Sequence, residues 1–146
     1  MLFPLHPAVV HFPIALITAA RIFHTLHLCR SEWINRSIGL WLLGLSTIFS
    51  IVAVLSGQKE MQKAGDIGYP TEALILIEKH PTNGNIVVWS SIIFFIGWIY
   101  LFLKHKGDNN INQLALAFLL LLFILVMLSG YTGGHLVYIH GVGTPP

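Results

Sequence analysis

The sequence predicts an all-α integral membrane protein, a four-helix transmembrane bundle made of two pseudo-twofold related helical hairpins. Three observations carry this. Hydrophobic residues make up 55% of the 146-residue chain and charged ones 10%, with a mean hydropathy of +0.74, a composition suited to lipid and not to a soluble core. Four apolar blocks each reach the roughly 20 residues that a helix needs to cross the hydrocarbon. Two signals also recur: His6-Pro7 returns as His80-Pro81, 74 residues on, and Leu55-Ser56-Gly57 returns as Leu128-Ser129-Gly130, 73 residues on. The chain reads as two copies of one unit within a single domain over 1–146.

Span 1 is expected over 7–28. Pro7 suits a first helical position, where its missing N–H costs nothing, and Pro13 should bend the first turns. Arg21 interrupts the apolar run, with a stem long enough to snorkel to the interface. The start of the chain has no basic n-region and no cleavage signal, so it reads as a retained span. Span 2 is expected over 33–56. The polar stretch that follows reads as a loop with room for a short surface helix, broken by Gly65, Gly68 and Pro70. Span 3 is expected over 81–103, beginning at Pro81, and span 4 over 114–138. Short connections make spans 1–2 and 3–4 antiparallel hairpins, and two hairpins satisfy every backbone group in lipid. Small residues at Gly39, Gly44, Ser46, Ser50, Ala53, Ser90, Ser91 and Gly97 would let the helices approach closely. Trp33, Trp41, Trp89, Trp98, Tyr100 and Tyr131 read as interface belt or helix packing.

Orientation follows from basic residues. One end carries Arg30, Arg36, Lys104 and Lys106, with Arg21 nearby; the other carries Lys59, Lys63 and Lys79. The positive-inside rule puts the second end, and both termini, outside. In a Gram-negative bacterium this is the periplasmic face of the inner membrane. A net charge of +2 without a basic stripe argues against nucleic acid. Cys29 is the single cysteine, so no internal disulfide can form. No nucleophile–base pair, phosphate loop or CxxC is present.

Of the eight histidines, His6, His11, His80, His135 and His140 fall at one end of the bundle. On one straight helix His6 and His11 lie ~140° and ~7.5 Å apart, so they cannot grip one ion together. With Pro7 opening the helix, His6 would lie outside it, free to fold back. Imidazoles converging from separate helices at membrane depth suit haem b, one or two groups, each held between two histidines. Gly84 and Gly134, with Gly57, Gly130 and Gly133 at the same level, would make room for the macrocycle. The helix starts of spans 1 and 3 suit propionates, with Lys79 a partner. The expected pairs are His11 with His80 and His6 with His140. The rival is copper or zinc on His6, His11, His80 and His140, completed by Asp66 or Glu78. The plainer alternative is a structural or assembly subunit whose histidines only cap helix ends. His24, His27 and His105, at the other end, read as interfacial, with a second haem there the alternative.

The blocks LHPAVVHFPIAL and SGYTGGHLVYIHGVG resemble the two signature blocks of a bacterial family of four-span membrane proteins, domain of unknown function 2231. The resemblance covers nearly the whole chain. By position, the family's histidines fall on His6, His11, His80 and His140 and its glycines on Gly84, Gly133, Gly134 and Gly141. Position 135 is not histidine in many members, and Gln58-Lys59-Glu60 stands where relatives carry a nearby aspartate. Some relatives are fused to cytochrome c-type domains, which implies a redox setting. The expectation is therefore a membrane-bound b-type cytochrome for electron transfer, with cytochrome c or other complex subunits as partners, and homodimerisation as a way to accommodate two haems.

Overall fold

The computed structural model describes residues 5–105 and 108–144. Helix α1 (Leu5–Val9) and α2 (His11–Cys29) form span 1. Val10 between them keeps helical dihedrals, φ −60° and ψ −24°, and its N–H still reaches the His6 carbonyl at 3.1 Å. Pro13, lacking an N–H, leaves the Val9 carbonyl without its intrahelical partner, which accounts for the interruption. His6 therefore lies inside a helix and not ahead of one, contrary to the expectation built on Pro7.

Helix α3 (Ser37–Gly65), α4 (Thr71–Lys104) and α5 (Asn109–Tyr138) supply the other three spans. All four spans are long and apolar enough to cross a membrane. The Asn35 side chain accepts from the Ser37 N–H at 2.9 Å, which starts α3 four residues later than expected. The Asp108 carboxylate accepts from the Asn110 N–H at 2.9 Å and caps α5, five residues earlier than expected. Lys106 lies outside the described residues.

The polar stretch after Gly57 departs furthest from expectation. It is not a loop with a separate surface helix; α3 runs on through it to Gly65 and α4 already begins at Thr71. Gln, Lys, Glu, Met and Ala are strong helix formers, and Lys63 pairs with Glu60 at 3.0 Å on the exposed face. Gly68, at φ +79°, permits the tight reversal. Beneath this extension Ala64, Ile77, Leu136 and Val142 form a small second core, with Met61, Tyr69 and Leu76 against it. Consequently Pro81 sits inside α4, and the start of α4 lies nine residues before His80, so no helix dipole end serves that histidine.

The helices form a ring in which α2, α3, α4 and α5 each pack on the next and α5 closes on α2, while across the diagonal α2 and α4 meet through side chains, His24 against Trp98. The main core joins Ile17, Ala20, Leu40, Leu43, Val87, Trp98, Ala115, Leu119, Leu122 and Val126. Trp98 is a core residue at 2% exposure, edge-on to His24 with ring centres 5.0 Å apart; the remaining tryptophans are exposed. Gly39 and Gly44 do admit close neighbours, Trp98 and Phe95, and Ser46, Ser50, Ala53 and Ser91 are buried. Gly97 does not: nothing lies within 4 Å of its missing Cβ. With Ser90 it lines a groove between α4 and α5. Arg21 does not reach outward; its guanidinium lies over the Phe123 ring at 4.3 Å.

Candidate functional site

A cavity of ≈ 370 Å³ opens between the four spans at the histidine-rich end, a size within the usual range for cofactor sites. His6, Pro7, Val10 and His11 line it from span 1, Ser50 to Met61 from α3, His80, Gly84 and Val87 from α4, and Val126 to Tyr138 from α5.

His6 and His80 face each other there, edge to face, with ring centres 6.2 Å apart and planes at 79°. They come from spans that occupy opposite corners of the ring. Each is held by its Nδ1 atom. His6 Nδ1 lies 2.8 Å from the Ala53 carbonyl oxygen, which can only accept, so Nδ1 carries the proton. His80 Nδ1 lies 3.0 Å from the Thr132 hydroxyl. That hydroxyl donates its own proton to the Ser129 carbonyl at 2.9 Å, so it accepts from His80. Among the described residues Nε2 of both rings has no hydrogen-bond partner, which leaves its lone pair available, the arrangement found in histidines that ligate metals.

Glycines admit both rings. A Cβ at Gly57 would come within 2.7 Å of His6 Cε1, and one at Gly133 within 3.0 Å of His80 Cε1. Gly84, Gly130 and Gly134 line the cavity without such contact to a histidine. Ser50 Oγ is buried here with no hydrogen-bond partner among the described residues, a signal that the sequence alone did not single out as a site feature. Gln58 and Tyr138 are exposed and line the cavity. Lys79 does not line it, and among the described residues neither does any other lysine or arginine.

His11 lines the cavity and is otherwise exposed. His140 and His135 do not line it; they pair with each other, ring centres 5.3 Å apart. The ring that meets His80 is thus His6, and the partner of His140 is His135. Asp66 and Glu78 are exposed. Among the described residues no group of three or more His, Cys, Asp or Glu side chains is placed to hold one ion.

At the opposite end His24, only 1% exposed, lies with Nε2 2.8 Å from the Asn112 carbonyl oxygen, and His27 Nδ1 lies 2.8 Å from that of Ile34. These bonds tie α2 to the start of α5 and to the turn before α3. His105 is exposed.

The model of the family described as Predicted membrane protein (DUF2231) matches residues 2–146. The chain belongs to this family. No curated protein and no solved structure matches it. In this DUF2231 protein the two signature blocks meet in space: the first brings His6 and His11 to the cavity, and the second brings Gly130, Gly133 and Gly134. The comparisons support a multi-pass membrane protein and name no cofactor.

Proposed function

We propose that this DUF2231 protein is a b-type cytochrome that moves electrons within the membrane, with His6 and His80 as the residues that would hold one haem b in the histidine-lined cavity. The carrying observation is the pair of facing imidazoles whose Nε2 atoms are both free. Haem asks the protein for only two ligands because the macrocycle supplies four. Closed zinc sites ask for four protein ligands, and the described residues bring together no set of even three.

A haem held there would supply one-electron chemistry. The chain's own residues do the rest. Ala53 and Thr132 fix the imidazole tautomers, and Gly57 and Gly133 admit the rings. Gln58 and Tyr138, which line the cavity, would offer hydrogen-bond donors to a bound group. Electrons enter from and leave to a redox partner, such as cytochrome c or another subunit of a respiratory assembly. The excess of Arg and Lys at the other end supports a periplasmic position for the cavity in a bacterial inner membrane.

The deciding measurement is the visible spectrum of protein purified after haem-replete expression. Soret and α bands are expected in the wild type, with their low-spin character lost in His6→Ala and in His80→Ala and kept in His11→Ala and His140→Ala. A wild-type protein without these bands refutes the reading and favours the structural or assembly role.

A further inference from the structure

We propose that His135 and His140 form a second site, separate from the cavity, for a first-row divalent cation of the Cu²⁺ or Zn²⁺ class. The two rings come from the last turn of α5 and the turn that follows it, with planes at 60° and centres 5.3 Å apart. His135 Nδ1 and His140 Nε2 are both buried without a hydrogen-bond partner among the described residues. A buried polar atom left unpaired is costly, and two such nitrogens on adjacent rings are what an imidazole-preferring cation satisfies.

The backbone presents the pair rigidly. The Ile139 and His140 N–H groups both donate to the His135 carbonyl, at 3.1 and 3.4 Å. Gly141, at φ +65°, turns the chain back so that the Val142 N–H reaches the Leu136 carbonyl at 3.0 Å. Val142 is thereby buried with Leu136, Ala64 and Ile77, which locks the turn to the end of the bundle. Among the described residues no carboxylate or thiol joins the two histidines in a larger ligand group. The other coordination positions would fall to ligands that the described residues do not supply.

The site does not depend on the cytochrome reading, and one experiment separates them. Purified full-length protein in detergent is titrated with Cu²⁺ and with Zn²⁺ by calorimetry, with the copper-loaded form examined by electron paramagnetic resonance. One equivalent should bind the wild type, with hyperfine splitting from two imidazole nitrogens. His135→Ala and His140→Ala should each weaken binding about 10–100-fold or more, since losing a ligand costs at least as much as losing a ligand's hydrogen-bond partner. Both should keep the wild-type Soret spectrum. His6→Ala and His80→Ala should keep the ion. His135→Gln and His140→Gln, which preserve bulk and polarity, should behave as the alanine variants do if folding is intact. A wild type that binds no ion, or glutamine variants that bind it normally, overturn the assignment whatever the haem spectrum shows.

Discussion

Gly57 lies directly against the imidazole of His6: a Cβ at that position would stand 2.7 Å from Cε1 and 2.9 Å from Nδ1. The atoms in the way belong to a ring held by the Ala53 carbonyl, so the ring cannot yield without losing that bond. Gly57→Ala should therefore push His6 away from His80. Overpacking of this kind costs about 1–3 kcal/mol. The expected outcome is a lower unfolding temperature together with loss of low-spin haem absorption; a normal spectrum would show that His6 is not an axial ligand.

The Thr132 hydroxyl accepts from His80 Nδ1 at 3.0 Å. Thr132→Val keeps the shape and removes the acceptor, leaving the ring free to turn. Partners of metal-ligating histidines are worth about 10–100-fold in affinity, and haem should dissociate faster by a comparable factor. Thr132→Ser should restore the wild-type rate. Transfer of haem to apomyoglobin reads both.

Two glycines contrast a crowded position on α3 with an open one on α4. A Cβ at Gly44 would meet the Phe95 ring at 2.8 Å, whereas nothing lies within 4 Å of one at Gly97. Gly44→Ala should destabilise the protein by about 1–3 kcal/mol through overpacking. Gly97→Ala should raise stability by about 0.5–1 kcal/mol, the usual gain of alanine over glycine inside a helix. Thermal unfolding in one detergent compares them.

Ser50 is buried in the cavity wall with its hydroxyl unpartnered among the described residues. Replacing it by alanine removes an unmet polar group, a change of about 1–3 kcal/mol in the favourable direction at most. Ser50→Ala should leave the haem-free protein as stable as the wild type or more so. A clear loss of stability in the haem-free form would show that the hydroxyl has a partner there.

The spans were legible because lipid leaves little choice: a run such as Leu119–Met127 is insoluble in water and must be helical in hydrocarbon. The extension of α3 past Gly57 was not. Its polar residues read as a loop, yet their helix propensity and the packing of Ala64 on Ile77 and Leu136 keep the chain helical. Pro81 misled for the same reason. A proline marks a helix start only where no earlier turn has a reason to form, and here Ala73 and Ile77 bury themselves in the turns before it.

The amino-acid order by itself determined four membrane-spanning helices and the gathering of histidines at one end, because both depend only on transfer into lipid and on alternating chain direction. Which imidazoles meet was decided by tertiary structure alone. Each residue turns a helix by about 100°, so partners across the ring depend on how every helix is rotated about its own axis. That rotation is set by contacts such as His6 on Gly57 and His80 on Gly133, which exist only once the four spans have packed.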